Sequence, residues 1–490
     1  MHLAHILKLL TAASSIRLVF CVKFNPLHHS GPACPYFDAP SQDGIPDETP
    51  TGCVVDQAAY IVRHGSRYPE PGSFTGWQQL FAKFQNNSYT AIGPLAFIPT
   101  WVPPVDDIPH EPLFLSSTGA LESFSLGVDL RKRYGFTSGG ENITVWAASQ
   151  QRVVDTATFF TRGYLSQGNY LTTPSENRGT IISLADSVNF TFANSLTPST
   201  GCPAYATGDT SGVATATFRA TYQNGIADRL NQFLDGLTLN ATDIGVMQDL
   251  CGFQAEVNGD TRFCDIFEDS EWIDYEYADD LNYYYGSGPG NPFSATVGFP
   301  WIKAVSDLFA LGPGETTPGG NITPPALIMG FTHDNNLPPV ISALGLWNTS
   351  DFPGVYPLSL EKPNQLRKFR SSYLVAFRGY VALERLACSS ADQSHKTVHV
   401  AGAPPANMTT TKFVRVRVDR APVAIPGCTS GPGSSCPLDQ FTTYIDTTRA
   451  EAAGDFVQVC GLQNVANATG EASFLTVAPP NIQELLVGLN

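Results

Sequence analysis

The residues best suited to chemistry lie together in the segment Arg63–Pro69, which reads RHGSRYP. Its histidine, His64, is flanked by Arg63 and Arg67, and Gly65 allows the backbone to turn sharply. Guanidinium groups match phosphate oxygens in geometry and charge, and they stay charged at any workable pH. A histidine held between them is placed to attack phosphorus and to carry the phosphoryl group covalently. The segment predicts a phosphoryl-transfer site, and the alternative is a salt-bridged loop with a structural histidine.

The dipeptide His333-Asp334 supplies the groups that such a site still needs. A second imidazole can bind a phosphate oxygen, while a carboxylate can protonate the leaving oxygen and then activate water against the phosphoenzyme. Taken alone, the dipeptide is more often a surface turn, and Arg152 is more often a surface charge on a helix. Both gain weight because they follow apolar runs in the same way as His64 does.

Three short apolar runs would position these residues, over 54–62, 143–148 and 326–331. Each run ends abruptly at one of the polar clusters, which is typical of buried parallel strands that are covered on both faces. In open α/β sheets, sites form at the carboxyl ends of the strands. We therefore predict an α/β fold in which the three clusters converge on one crevice.

Helices are predicted to complete this domain. One runs over residues 118–134, and another over 151–164 places Arg152 in its first turn. A helix N-terminus presents free N–H groups and a partial positive charge, which suits an anion site. A further helix is predicted over 365–388, followed by a strand over 412–418 that returns to the sheet.

The rest of the chain divides by composition. Residues 165–300 are polar and contain an acidic run, 268–280, which favours an inserted, mainly helical cap with a solvated acidic face over a cation site. The predicted organisation is a signal peptide over 1–13, an N-terminal extension over 14–50, the first part of the α/β domain over 51–164, the cap over 165–300 and the second part of the α/β domain over 301–490.

The composition excludes several classes of protein. The 490 residues carry 44 Asp+Glu against 28 Lys+Arg, a formal net charge of −16, whereas nucleic-acid binding requires a basic surface. Apolar residues at 42% and charged residues at 15% exclude wholesale disorder. No stretch reaches about 18 uninterrupted apolar residues, so we expect no membrane span. No feature of the sequence indicates an oligomeric state.

Cysteines and glycosylation motifs indicate a secreted protein. The ten cysteines form no CxxC pair, which leaves zinc and thioredoxin interpretations without support. An apolar stretch before Thr11-Ala12-Ala13 resembles a signal peptide, and the alternative is a wrongly assigned start of the reading frame. Eight Asn-x-Ser/Thr motifs favour an extracellular, disulfide-bonded glycoprotein. They lie at Asn86, Asn142, Asn189, Asn240, Asn321, Asn348, Asn407 and Asn467.

Together these motifs resemble a known family. RHGSRYP at 63–69 and THDN at 332–335 resemble the histidine acid phosphatase branch of the histidine phosphatase superfamily, with fungal phytases and acid phosphatases as the most similar members. The similarity covers most of the chain after about residue 50. It implies a phosphoglycerate mutase-like α/β domain, with a mixed, mostly parallel sheet flanked by helices and a mainly helical domain inserted between the two motifs.

The resemblance also implies a role for each site residue. His64 would be the phosphorylated nucleophile and Asp334 the proton donor. The phosphate would be bound by Arg63, Arg67, Arg152 and His333. No metal or cofactor is implied. The implied activity is that of a secreted acid phosphatase or phytase, which hydrolyses phosphomonoesters below neutral pH and has phytate as one candidate substrate.

Similarity to the fungal members further implies a set of disulfides and a way to hold phytate. The implied pairs are Cys53–Cys388, Cys202–Cys460, Cys251–Cys264 and Cys428–Cys436, with Cys21–Cys34 as the remaining pair. Fungal phytases of this kind surround their polyanionic substrate with lysines. The lysines nearest to the motifs in this sequence are Lys83 and Lys303.

Two rival functions stay open. A phosphomutase of the same superfamily shares the nucleophile, but the glycosylation motifs and the acid Asp334 disfavour it. A secreted glycoprotein that only binds phosphorylated ligands would need the arginines but no proton donor. The net charge of −16 does not exclude a phosphate ester, because three arginines can concentrate positive charge in one crevice.

Overall fold

The computed structural model describes residues 24–136, 142–166, 179–186, 191–348, 355–389, 410–477 and 483–487. Within this part of the chain, nine strands form one sheet and two short strands pair separately. The strands are β1 (Cys53–Arg63), β2 (Thr90–Ala91), β3 (Ile143–Ala148), β4 (Gly179–Leu184), β5 (Leu234–Asp235), β6 (Leu327–Thr332), β7 (Tyr380–Ser389), β8 (Thr410–Val418), β9 (Ala421–Val423), β10 (Cys436–Pro437) and β11 (Gln483–Val487).

The large sheet is parallel at its centre and antiparallel at its edges. The strand order is β10-β8-β7-β1-β6-β3-β4-β11, with β9 paired to β8. The pairs β1–β6, β6–β3 and β3–β4 are parallel, whereas β7, β8, β10 and β11 join in antiparallel fashion. All six residues of β6 are buried, as expected for a strand covered on both faces. The predicted α/β fold with a mixed sheet is confirmed.

Helices flank the sheet. They are α1 (Pro71–Gln85), α2 (Ser117–Tyr134), α3 (Gln151–Leu165), α4 (Pro203–Thr207), α5 (Ser211–Asn231), α6 (Ala241–Asn258), α7 (Asp269–Gly286), α8 (Ser294–Leu311), α9 (Leu337–Ala343), α10 (Ser371–Leu374), α11 (Leu438–Tyr444), α12 (Ala450–Ala453) and α13 (Phe456–Val459). Helix α3 packs on β3, β4 and β6, and α9 packs on β1 and β7. Helices α2 and α3 cross closely at Gly127, where a Cβ atom would lie 2.1 Å from the Phe160 carbonyl oxygen.

The helical layer differs in extent from the predicted cap over residues 165–300. Strand β4 falls inside that range but belongs to the central sheet, because it pairs with β3 at every position. Helix α1 precedes the range, yet it shares a second hydrophobic core with α5, α6 and α7, to which Trp77 and Trp272 contribute. The layer is therefore assembled from both sides of β3 in sequence, which a division by composition does not detect.

Residues 365–388, predicted as a helix, form the short helix α10 and then strand β7. Strand β7 pairs with β1 and is buried at nine of its ten positions. The polar residues Glu384 and Arg385 interrupt the apolar pattern of this strand. In the sheet, Glu384 pairs with Arg415 and Arg385 pairs with Asp56, so distant partners neutralise both charges.

Four of the implied disulfides are present, and they join Cys53–Cys388, Cys202–Cys460, Cys251–Cys264 and Cys428–Cys436. The first ties β1 to β7 at directly opposed positions. Cys34 is buried, whereas its expected partner Cys21 lies outside the described residues, as does the predicted signal peptide over 1–13. Among the helices that the structure describes, none is both long and apolar enough to cross a membrane.

Candidate active site

The carboxyl ends of β1 and β6 bring the two sequence motifs together. Arg63 and Thr332 are opposed in the parallel register, so His64 and His333 leave neighbouring strands at the same edge. The centroids of the two imidazole rings are 5.7 Å apart. Arg152 enters from the first turn of α3, which follows β3, and its Nη2 lies 3.3 Å from Nδ1 of His333. The three polar clusters thus converge, as predicted.

A cavity of about 530 Å³ opens at this edge of the sheet. Its lining includes Arg63, Arg67, Arg152, His333 and Asp334. The three arginines are at most 9% exposed, so their charges are held in a largely dry environment. His64 is 1% exposed and lies against this group. All six candidate residues are therefore gathered at one place, in a protein whose net charge is −16.

The surroundings of His64 determine which ring nitrogen carries the hydrogen and whether the ring is charged. Its Nδ1 lies 2.9 Å from the Gly65 carbonyl oxygen, which can only accept, so Nδ1 carries the hydrogen and Nε2 keeps its lone pair. Burial lowers the pKa of His64 well below its usual value, and the positive charges of Arg63, Arg67 and others lower it further. The imidazole consequently stays neutral and nucleophilic in acid.

Gly65 is required because the backbone at this position lies very close to helix α2, and not because the backbone is left-handed there. A Cβ atom at this position would lie 2.6 Å from the Gly119 carbonyl oxygen of α2. The Gly65 N–H donates to Thr156 Oγ1 of α3 at 3.0 Å. The turn after His64 is thus pressed between two helices, and this contact positions the imidazole.

Asp334 and Arg63 form an ion pair across the cavity, with 2.9 Å between Oδ2 and Nη2. Burial alone would raise the pKa of Asp334, but the charges of Arg63 and Arg67 outweigh it and lower that pKa to about 2. Arg63 is itself anchored, because its Nη1 donates to the Pro32 and Val375 carbonyl oxygens at 2.5 Å each. Asp334 is therefore ionised before any ligand binds.

Arg152 and His333 orient each other. A guanidinium cannot accept a hydrogen bond, so Nδ1 of His333 accepts from Arg152 and Nε2 of the neutral ring carries the hydrogen. That Nε2 lies 3.9 Å from Asp186 Oδ2. Burial lowers the pKa of Arg152 to about 10, and the nearby charge of Arg67 contributes to this. Arg152 remains a cation, and His333 remains a donor that faces the cavity.

Comparison with known proteins agrees with this geometry. The sequence profile of the "Histidine phosphatase superfamily (branch 2)" matches residues 54–418. The chain belongs to this family. It is 28% identical to the acid phosphatase PHO1 of Komagataella pastoris over 465 residues, which covers 92% of this chain and 90% of that protein. It is also 28% identical to phytase A of Aspergillus awamori, with 88% of this chain and 90% of that protein covered.

Solved structures show the same fold. The crystal structure of the phytase from D. castellii superposes with a TM-score of 0.76 at 23% identity, and the match covers 92% of this chain and 90% of that one. The multiple inositol polyphosphate phosphatase of Bifidobacterium longum in complex with inositol hexasulfate has a TM-score of 0.59 at 11% identity, covering 86% and 98%. The histidine phosphatase architecture thus extends over nearly the whole chain.

Several residues of this histidine phosphatase site were missed by sequence reasoning. Tyr283 of α7 hydrogen-bonds Asp334, and the Phe377 ring lies 4.4 Å from the Arg63 guanidinium carbon. Pro32 lies in the N-terminal segment outside the matched family region. Asp186 follows β4, the fourth parallel strand. The argument that polar residues follow parallel strands would have found Asp186, had residues 179–184 been recognised as a strand.

The lining of the histidine phosphatase cavity also carries carboxyl and hydroxyl groups. Among the described residues that line it, the full positive charges come from arginine, and lysine is absent. Besides Asp334, the carboxyl groups that line it are Glu70, which pairs with Arg67 at 2.7 Å, Asp186, Asp209 and Asp249, whose pKa burial raises to about 6. The two candidate lysines lie elsewhere: Lys83 binds Asp243 at 2.5 Å, and Lys303 binds Asp307 at 2.5 Å. The lining of the cavity therefore combines three arginines with carboxyl groups that could repel further negative charge.

Proposed function

We propose that this protein hydrolyses phosphomonoesters through a phosphohistidine at His64. One observation carries the proposal: the Nε2 lone pair of a buried, neutral imidazole is surrounded by cations that match a phosphate. In this role Arg63, Arg67, Arg152 and His333 bind the three non-bridging phosphate oxygens. The charges of the three arginines stabilise the additional negative charge of the transition state in a site that largely excludes water.

In the first step, His64 Nε2 forms a bond to phosphorus as the P–O ester bond breaks. The leaving oxygen receives a proton from Asp334 and departs as an alcohol. In the second step, a water molecule gives its proton to Asp334, its oxygen attacks phosphorus, and the N–P bond breaks. Inorganic phosphate leaves as its monoanion and takes the proton from Asp334 with it, so that Asp334 is again ionised and His64 is again neutral.

The proton that Asp334 donates must arrive with the substrate. Asp334 is ionised in the resting site, since its pKa is about 2. A bound phosphate neutralises the arginines and raises this pKa, and a phosphomonoester retains one proton of its own below a pH of about 6. Substrate and Asp334 together thus carry the required proton only in acid. This supports an acidic activity optimum, because His64 stays neutral there.

For the substrate, we propose simple monoesters with a neutral or cationic alcohol rather than phytate. Three arginines are enough for one phosphate, whereas the further phosphates of phytate would meet the carboxylates that line the same cavity, such as Asp186 and Asp209. Phytate is the second candidate, because relatives such as phytase A carry that name. We expect kcat/KM for 4-nitrophenyl phosphate to exceed that for phytate at pH 5.5, and we expect Asp209→Asn to narrow the difference. A higher value for phytate would overturn this preference.

The test of the activity is the purified His64→Ala protein, with His110→Ala as the matched control. His110 is 76% exposed and pairs only locally with Asp107 in the described structure. We expect His64→Ala to lose phosphate release by about 10³-fold or more and the control to keep it. Quenching the parent enzyme in base should trap a phosphohistidine at position 64. Parent-rate release by His64→Ala overturns the proposal.

We also propose that the protein is secreted and glycosylated. Four disulfides support an oxidising compartment. Five motif asparagines, Asn86, Asn142, Asn240, Asn321 and Asn467, are exposed, and Asn348 is half-buried. Asn189 and Asn407 lie outside the described residues. Removal of N-glycans from protein collected from the culture medium should lower its mass; an unchanged mass contradicts glycosylation.

A further inference from the structure

The side chain of Ser66 lies between two glutamates, immediately after the turn that follows His64. Its Oγ is 2.7 Å from Glu122 Oε2 of α2 and 2.5 Å from Glu256 Oε2 of α6. The Ser66 N–H donates to the same Glu122 oxygen at 2.9 Å. Ser66 is fully buried, and Glu256 is 7% exposed. The phosphoryl-transfer steps use none of these three residues.

The number of available protons decides how this cluster is bonded. A hydroxyl donates one hydrogen bond, and ionised carboxylates only accept. If both glutamates were ionised, one of the two short contacts at Ser66 Oγ would join two acceptors. One carboxyl must therefore be protonated and donate to Ser66, while the Ser66 hydroxyl donates to the other.

Glu256 is the better holder of that proton. It is almost completely buried and lies in the last turn of α6, where the helix dipole disfavours a negative charge. Glu122 is half-buried, and the oxygen that contacts the Ser66 hydroxyl already accepts the Ser66 N–H, so this oxygen serves as an acceptor. The hydrogen bonds then run in one direction, from Glu256 to Ser66 and from Ser66 to Glu122.

We propose that Glu256 is a positioning residue that holds a proton, and that the Glu256–Ser66–Glu122 hydrogen bonds fix the active-site loop only while this proton is present. The loop in question carries His64 and Arg67.

Close contacts around Ser66 and Glu256 leave little space for the Glu256–Ser66–Glu122 hydrogen bonds to rearrange. The Ser66 carbonyl oxygen accepts from both the N–H and the Oγ of Ser116, at 2.9 Å each. A Cβ atom on Gly119 would lie 2.1 Å from that same oxygen. Thr118 Oγ1 donates to the Glu256 carbonyl oxygen at 2.6 Å. Two negative charges around Ser66 would push α2 and α6 apart and displace the loop between them.

The groups that face Glu256 set the direction of its pH dependence. They are Glu122 from α2, the Ser66 hydroxyl from the loop and the Cys34 thiol from the N-terminal segment. Burial raises the pKa of Glu256 from 4.5 to about 7, and the charge of Glu122 contributes. Because this pKa is higher in the folded state, the stabilisation is complete below about 4.5 and is lost as the pH rises through about 7.

The experiment compares Glu256→Gln with the parent enzyme from pH 5 to pH 8, with the exposed helical substitution Glu451→Gln as control. A glutamine donates to Ser66 at any pH. We expect the ratio of the variant's kcat to the parent's, with 4-nitrophenyl phosphate, to rise about tenfold from pH 5 to pH 8. The Tm of the variant minus the Tm of the parent should likewise increase from pH 5 to pH 8. A kcat ratio and a Tm difference that do not change with pH overturn the proposal.

A second variant, Ser66→Ala, removes the central hydroxyl and so leaves the two carboxyls without their bridge. We expect its kcat at pH 5 to fall about tenfold with a smaller change in KM, while Ser125→Ala on the exposed side of α2 keeps the parent value. The kinetic readout rests on the proposed phosphatase activity, but the Tm readout does not. A parent protein that releases no phosphate overturns the proposed function, and the Tm comparison then decides whether the proton-dependent contact exists.

Discussion

Two regions of the molecule each gather three arginines around a central carboxyl group. In each, a second carboxylate binds part of the set: Glu70 binds Arg67, whereas Asp47 binds Arg133 and Arg417. The active-site arginine cluster consists of Asp334 with Arg63, Arg67 and Arg152. The β7 arginine cluster consists of Glu384 with Arg133, Arg415 and Arg417. Both are buried, and in both the arginines hold the pKa of the carboxyl below its usual value. The residue types are the same, yet only the first can bind a substrate.

The difference lies in what satisfies the guanidinium groups. In the β7 arginine cluster, Arg415 donates to Glu384 through Nε and Nη2, at 2.8 and 2.6 Å, and to the Glu48 carbonyl oxygen through Nη1. The Tyr134 hydroxyl also donates to Glu384 at 2.6 Å. The active-site arginine cluster instead borders a cavity of about 530 Å³, into which a phosphate can bring the missing charge. One cluster stabilises the fold, whereas the other is completed only by a ligand.

The sharpest test of this contrast is Glu384→Gln. Removing the charge leaves buried guanidinium groups unpaired, so we expect the free energy of unfolding to fall by about 3–5 kcal/mol. The kcat of the molecules that remain folded should not change. Urea unfolding at pH 5, with exposed Glu471→Gln as the control, measures the loss. A loss below about 1 kcal/mol would show that the β7 arginine cluster is not the structural one.

Arg152→Ala should have the opposite effect to Glu384→Gln, because it should lower activity without lowering stability. We expect kcat/KM for 4-nitrophenyl phosphate to fall by about 10²–10³-fold, because a cation that stabilises the phosphoryl group is lost. The Tm should stay level or rise, since the substitution relieves repulsion from Arg67. Arg162→Ala, on the exposed side of the same helix, is the matched control. A large drop in Tm with an unchanged kcat/KM would instead show that Arg152 stabilises the fold and does not stabilise the phosphoryl group.

Asp334→Asn tests the carboxylate that lies at the centre of the active-site arginine cluster. The pKa of Asp334 is lowered from 3.8 to about 2, so its charge stabilises the folded state above 3.8 and this stabilisation is lost as the pH falls through about 2. We expect the variant to be less stable by about 2 kcal/mol at pH 5, with the difference narrowing below pH 4. Unfolding curves at pH 5, 4 and 3 measure this. A difference that grows towards acid would contradict the assignment.

Lys303→Ala gives the smallest effect. Its ion pair with Asp307 is exposed and lies outside the cavity, so we expect a change in unfolding free energy of at most about 0.5 kcal/mol. The ratio of phytate to 4-nitrophenyl phosphate hydrolysis should be unaltered. A lower phytate rate in this variant would place Lys303 in the substrate site and contradict a cavity whose positive charges, in the described part of the chain, come from arginine alone.

Much of the sheet's centre could be predicted from local patterns. The run over 143–148 is strand β3, and the helix over 151–164 is α3 with one further residue. Short, continuous apolar runs that end in polar clusters are a local signal of buried parallel strands. Strands β4 and β7 themselves carry no such signal, although their partners β3 and β1 do. The helix predicted over 365–388 is wrong at β7, where Glu384 and Arg385 bind partners that lie far away in sequence and that a local pattern does not show.

The residues that we propose do the chemistry can be found from the sequence alone, because Arg63, His64, Arg67 and the pair His333-Asp334 are recognisable by type and spacing. Tertiary structure decided the state in which they work. The free nitrogen of His64, the ionised state of Asp334 and the protonated state of Glu256 depend on burial and on neighbours from other elements. Protonation is set by the local electric field and by the available hydrogen-bond partners, and only the folded chain creates these.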